Sequence, residues 1–310
     1  MTTPIRPFAA PGAPVPPSAI RGADGCSFAL HGRVDVTALR AAYAALLEEY
    51  PAFAARMIAE RDRFRFAPGD PAVAAAIGFR DAAAPWGGFT QAPPEFVGSE
   101  QLSALSLTGI GDESRLTLWI GRVAAAPVGV IAPAARLFEF YAALAGGARP
   151  LVHRPTGART FGLPTEPQRL AAAAGREPRE RGRTRADDAR RVRFDAAETA
   201  GLIDCARARA IPLIDLIDEL IGRADAPAGR IDDLGTVPVP AVPAGIAVLD
   251  FHSQRSDPAQ HAVSYVLSVF AGRLSVELRG RPETPGGPLD PILQRVVQEA
   301  RHLLTVGAAA

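Results

Sequence analysis

No lysine and no asparagine occurs among the 310 residues, so apart from five histidines every basic side chain is an arginine. Basic and acidic residues nearly balance at 34 and 33, a net charge of +1. That leaves nucleic acid or an acidic lipid surface little to bind by long-range attraction. Cysteine is scarce. Cys26 and Cys205 stand far apart, which excludes a disulfide framework and any zinc-ligand spacing. Cys205 falls in a helical pattern and reads as a small buried hydrophobe. No stretch reaches the ~18 uninterrupted apolar residues of a membrane span. The Pro-rich residues 1–17 hold no apolar core of a signal peptide, so a cytoplasmic protein is expected. Phosphate-cradling glycine loops and G-x-S-x-G elbows are missing as well, and no cofactor and no metal is expected.

What remains is 48% hydrophobic and 22% charged, an ordinary globular composition long enough for one large or two modest cores. Ala, Gly, Pro and Arg dominate, as GC-rich coding sequence produces. Ser27 to Leu30 reads as a strand. Asp35 is placed to cap a helix whose apolar face is Leu39, Ala42, Tyr43, Leu46 and Leu47, and Pro51 ends that helix. Arg63 to Phe66 reads as a strand, and residues 67–96 as loop with short pieces. Leu102 to Leu107 and Arg115 to Ile120 read as strands joined by a Gly111-Asp112 turn. Ile131 to Leu144 is helical and is stopped by Gly146-Gly147. Residues 148–190, with Pro150, Pro155, Pro164 and Pro167 and then a dense Arg/Glu/Asp stretch, make the linker.

Beyond the linker, Arg191 to Phe194 reads as a strand. Asp195 and Glu198 have the spacing of a capping box for a helix from Ala196 to Ala210. Leu213, Leu216, Ile217 and Leu220 continue a helical stripe. Strands are expected at Ile246 to Phe251, Val263 to Phe270 and Arg273 to Leu278, with a closing amphipathic helix from Pro291 to Leu304. Both halves mix strands and helices, so the fold class is α/β in the broad α+β sense. The divisions are residues 1–147, a linker at 148–190, and residues 191–310. The adjacent carboxylates Asp187-Asp188 and Asp232-Asp233 read as loop caps.

Three segments, in order and spacing, resemble the condensation-domain superfamily, which joins nonribosomal-peptide condensation domains to polyketide-associated acyltransferases such as the phthiocerol dimycocerosyl transferase type. The first runs from Gly32-Arg33-Val34-Asp35 to Glu49-Tyr50-Pro51, with Tyr50 at the histidine of a usual His-Pro pair. The second is the strand Arg115 to Ile120, then Gly121 to Pro127, then a helix ending Phe138-Glu139-Phe140-Tyr141. The third runs from Val192-Arg193-Phe194 through Glu198 to Ile211. Asp233-Leu234-Gly235 and Phe270-Ala271-Gly272-Arg273 then follow. The resemblance implies a two-lobed chloramphenicol-acetyltransferase-like fold. Its second lobe is truncated, with the middle missing between Ile221 and Ile231, and the inter-lobe cleft is correspondingly open.

The family's His-His-x-x-x-Asp-Gly motif falls on Gly121, Arg122, Ala126 and Pro127. Its second histidine is a general base, a task an imidazole suits and a permanently protonated guanidinium cannot perform. Arg122 is therefore read either as a holder of a carbonyl or carboxylate oxygen or as a long side chain covering apolar surface. Arg122, Ala126, Val128 and Tyr141 are the expected cleft residues. His252 and His153 are the candidates for a base placed elsewhere, while His31 and His302 read as surface residues.

Three functions stay open. One is an enzyme repurposed within polyketide or lipid specialised metabolism, binding a long apolar, free or carrier-tethered chain and directing cyclisation or rearrangement. Another is an acyltransferase with a relocated base. The last is a non-catalytic scaffold or partner of a synthase. A homodimer is expected to cover the open edge.

Overall fold

The computed structural model describes residues 22–60, 63–81, 101–125, 129–153, 168–169, 188–226, 229–256, 263–280 and 289–307. In chain order the elements are β1 (Ala23–His31), α1 (Val36–Glu49), α2 (Pro51–Ala54), β2 (Arg56–Glu60), β3 (Arg63–Ala67), α3 (Pro71–Ala74), β4 (Ile77–Asp81), β5 (Ser103–Ile110), β6 (Glu113–Gly121), α4 (Arg122–Ala125), α5 (Ile131–Ala145) and β7 (Gln168–Arg169). They continue with β8 (Asp188–Arg193), α6 (Ala196–Ala208), α7 (Leu213–Arg223), β9 (Arg230–Val237), β10 (Ala247–Ser256), β11 (Val263–Phe270), β12 (Arg273–Gly280) and α8 (Leu289–Gly307). The chain forms two compact units. Among the described residues the first holds everything up to β7 together with β10, and the second holds β8 to β9 and β11 to α8. Residues 240–258, read from sequence with the second lobe, thus group with the first unit.

The first unit is built on a five-stranded sheet of order β10-β1-β6-β5-β4, beside a small sheet β2-β3-β7. β1 is central: it pairs antiparallel with β6 on one side and with β10 on the other. Alternation along β1 sends Cys26, Phe28 and Leu30 to the side on which the helices pack. There the Phe28 ring meets Phe138 of α5 edge-on at 4.9 Å and Phe251 of β10 at 5.3 Å. Leu116, Leu118 and Ile120 of β6 share that buried face. The helix α1 forms where the apolar spacing places it. Asp35 caps it, Oδ1 accepting from the amides of Thr37 and Ala38, and Leu39, Ala42, Tyr43, Leu46 and Leu47 are all fully buried.

Two polar anchors fix the helices. The Tyr43 hydroxyl hydrogen-bonds Ser103 of β5 at 2.7 Å, and the Tyr141 hydroxyl of α5 accepts from the Asp35 amide at 2.9 Å. Arg136 of α5 completes the clasp. Its guanidinium donates to both Glu49 oxygens at 2.9 and 3.1 Å and to the Leu151 carbonyl at 2.6 Å. It also lies 4.3 Å from the centre of the Phe140 ring. Tyr50, at the resemblance's histidine position, stacks on Phe53 at 5.0 Å.

The second unit has a sheet of order β8-β12-β11-β9, with β9 parallel to β11. Leu202 of α6, Leu216 and Leu220 of α7, and Ile292, Val296 and Ala300 of α8 close over Tyr265, Leu274, Val276 and Leu278. Burial pushes the Tyr265 phenol up to about 12. The capping box forms as read: Asp195 Oδ1 accepts from the Glu198 amide at 2.7 Å and Glu198 Oε2 from the Asp195 amide at 3.0 Å. α7 ends at Arg223, and the next element, β9, begins at Arg230.

Several elements differ from the sequence reading. β2, β4 and β9 are strands, and residues 122–125 form the short helix α4 rather than loop. Asp232 and Asp233 are not loop caps. Both lie within β9, where Asp232 pairs with Arg230 at 2.7 Å and Asp233 accepts from the amide of Gly235, whose φ is +63°. Asp188 opens β8, and Asp187 lies outside the described residues.

Two stability outcomes follow. A Cβ at Gly25 would stand 2.7 Å from Cε3 of Trp119, whereas one at Gly78 meets nothing nearer than 3.8 Å. Gly25→Ala should therefore cost about 1–3 kcal/mol in urea denaturation, and Gly78→Ala should stay within about 0.5 kcal/mol of wild type. Tyr141→Phe removes the acceptor of the Asp35 amide and should cost about 1 kcal/mol by the same measurement.

Candidate functional site

Two candidate regions flank β1. The first lies where β6 ends. The Arg122 amide donates to the Gly22 carbonyl at 2.8 Å, which sets α4 against the start of β1. The Arg122 guanidinium pairs with Asp24 through Nη2 at 3.4 Å, with side-chain exposures of 18% and 29%. The pair is thus shielded yet reachable. Val123, Ala124 and Ala125 follow as a buried apolar turn. Ala126, Pro127 and Val128 lie outside the described residues. Tyr141 is fully buried, and its hydroxyl holds the start of α1. Burial raises its pKa and the Asp35 amide opposes that rise.

The second region lies on the other face of the same sheet. Registered residues across an antiparallel sheet share a face, and three rows cross β6, β1 and β10 here. They are Arg115–Ala29–Asp250, Thr117–Ser27–His252 and Trp119–Gly25–Gln254. The central member of each row is small, so the flanking side chains approach over it. The face is polar, yet it is buried: Thr117 is 0% exposed, Ser27 1%, His252 4%, and Gln254 and Arg115 7% each. Ser27 and Thr117 join hydroxyls at 2.7 Å, and the Gln254 amide donates to Ser27. His252 Nε2 lies 3.0 Å from Asp250 Oδ2, while Asp250 Oδ1 accepts from the Phe251 amide at 2.8 Å. Burial lowers the Arg115 pKa, and the negative charge of Asp250 opposes that shift.

His252 is therefore not a solvent-exposed loop residue. It sits inside β10 against Asp250. His153 is exposed, and its backbone amide donates to Glu49 Oε2 at 2.9 Å. His31 and His302 are exposed as expected, and His261 lies outside the described residues. Arg122 and His252 do not converge. The rows containing Thr117 and Gly121 lie four residues apart along β6, roughly 13 Å at 3.3 Å per residue, and Asp24 belongs to the helix side of β1. Sequence reasoning missed Asp250, Arg115, Gln254, Ser27 and Thr117. The period-two run Asp250, His252, Gln254 is the signal that could have found the β10 member of each row, because it marks one face of a strand.

Among the described residues, no group of three or more His, Cys, Asp or Glu side chains could hold a metal ion, and no helix is long and apolar enough to cross a membrane.

No family model matches the chain, and no curated protein matches it. Solved structures do. Polyketide synthase associated protein 5 from Mycobacterium tuberculosis is 16% identical with a TM-score of 0.65, over 91% of this chain and 93% of that one. The first condensation domain of the CDA synthetase is 14% identical with a TM-score of 0.63, over 92% and 91%. VibH, a nonribosomal-peptide-synthetase condensation enzyme, is 10% identical with a TM-score of 0.54, over 94% and 93%. At such identities it is the fold that is shared: the chain has the condensation-domain fold, of the chloramphenicol-acetyltransferase-like class.

Proposed function

We propose that the chain is a condensation/acyltransferase-fold enzyme of polyketide or lipid specialised metabolism. It binds a long, mostly apolar chain, free or tethered to a carrier protein, and directs its cyclisation or rearrangement. The observation that carries this reading is the segment after β6, where the family resemblance puts a general base. Here Arg122, clamped by Asp24, is followed by buried Val123, Ala124 and Ala125. One fixed cation beside an apolar turn suits an alkyl chain ending in, or interrupted by, a carbonyl or carboxylate oxygen. A charge-assisted hydrogen bond from the guanidinium to that oxygen is worth roughly 1.5–3 kcal/mol. Such a site works by positioning and electrostatics rather than by taking a proton.

The test separates binding from scaffolding. Arg122→Leu should weaken binding or turnover of a long-chain acyl-N-acetylcysteamine thioester about 10- to 100-fold at unchanged melting temperature. Asp24→Asn, which loosens the clamp but keeps the cation, should lose less. Equal losses of stability in both variants with activity intact would assign the pair to architecture alone. A chain that neither binds nor turns over such thioesters would favour the non-catalytic partner of a synthase.

A further inference from the structure

We propose that this protein forms a two-fold dimer through the end of α1, in which Leu151 and Arg149 of each copy seat in a hollow of the other edged by Asp70. This association is independent of the acyl-chain reading.

The protruding half is the segment that follows α5. Its burial alternates: Arg149, Leu151 and His153 are exposed, while Pro150 and Val152 are half-buried. Three hydrogen bonds hold it down. The Ala148 amide donates to the Ala143 carbonyl at 2.8 Å, Arg136 Nη2 to the Leu151 carbonyl at 2.6 Å, and the His153 amide to Glu49 Oε2 at 2.9 Å. A lone exposed leucine is ordinary on a protein surface. This one is 72% exposed, the most exposed large hydrophobic among the described residues, and its backbone is already fixed. Binding through it therefore forfeits little further chain entropy. Arg149, two residues before it, has no ion-pair partner among the described residues.

The receiving half is a surface hollow of about 360 Å³ lined by Leu47, Glu48, Pro51, Asp70, Pro71 and Ala72. Its lining is mostly apolar, with two carboxylates. Asp70 is exposed, and its Oδ1 accepts from the Ala72 amide at 2.9 Å, which caps α3. Gly69 lies so close to Ala54 that a Cβ would stand 1.7 Å from the Ala54 carbonyl oxygen. The chain that carries Asp70 is thus packed down. An apolar hollow edged by carboxylates fits an aliphatic knob that has a guanidinium beside it.

Both halves are built on the last turn of α1. Glu48 lines the hollow and Glu49 holds the strap, so knob and hollow are neighbours on the first unit. The exposure of Leu151 shows that it does not fill the hollow of its own copy. A purely acidic partner would suit Arg149 and be opposed at Asp70, and a purely basic one the reverse. A second copy turned about a two-fold axis satisfies both, because the same contact is then made twice.

Sedimentation velocity of the full chain, over a concentration series up to the solubility limit, tests this. The wild type should move toward twice the monomer mass as concentration rises. Leu151→Asp should raise the dissociation constant about 30-fold or more, with an unchanged melting temperature because the side chain is exposed. Arg149→Gln and Asp70→Ser should each raise it severalfold, the serine keeping a capping oxygen for α3. Since Arg149 meets the partner's Asp70, the double variant should lose less than the sum of the two single losses. A wild type that stays monomeric throughout overturns the proposal, and so does a dimer that Leu151→Asp leaves intact. Strictly additive losses for Arg149→Gln and Asp70→Ser overturn it as well, because they deny the contact.

Discussion

Strand β1 is the constraint on which the first unit depends. It has hydrogen-bonded partners on both edges, and its two faces must meet opposite demands. On the helix side it supplies Cys26, Phe28 and Leu30 to an apolar core. On the other side it supplies Gly25, Ser27 and Ala29, small enough for Trp119, Gln254 and Arg115 to lean across. A one-residue slip of register would exchange the two sets and destroy both. Arg122 depends on the same strand, through the Gly22 carbonyl and the Asp24 carboxylate.

Much of this was legible in the residues, and the failures have physical causes. Helix α1 was readable because cap, apolar spacing and Pro51 agree, and the capping box before α6 was readable for the same reason. β9 was not, because Asp232, Asp233 and Gly235 are turn formers, and a parallel partner far along the chain outweighs them. β4 is also paired in parallel and has no hairpin to announce it. The candidate site fared unevenly. His252 was singled out by residue type, but its strand was ended at Phe251, because the polar residues beyond read as loop. Their alternation was strand-like, and only burial of a polar face explains it. The Arg136–Glu49 part of the clasp left no trace in sequence, since Glu49 meets Arg136 only through the packing of α1 on α5.

The absence of lysine has a different meaning at each site. At Arg136 the planar fork is used in full, with two parallel bonds to Glu49, a carbonyl contact and an aromatic face. A lysine could not reproduce that geometry. At Arg115 the side chain is buried, where an ammonium would shed its proton more readily than a guanidinium. An arginine-only composition thus also favours the charged form of its buried cations.

β10 gives the molecule an order in time. Gln254 bonds Ser27 across 227 residues of sequence, and β1 cannot be flanked on both edges until β10 has been synthesised. Pairings so distant in sequence are slow to form. During translation the nascent β1 must wait, one edge bare, while the elements from β8 to β9 emerge first. The second unit can begin to collapse before the first is finished, although its own β9 awaits β11. Completion of the sheet is thus a late event: a ribosome stalled before residue 247 could leave the Arg122–Asp24 pair formed, but not the polar face to which β10 contributes.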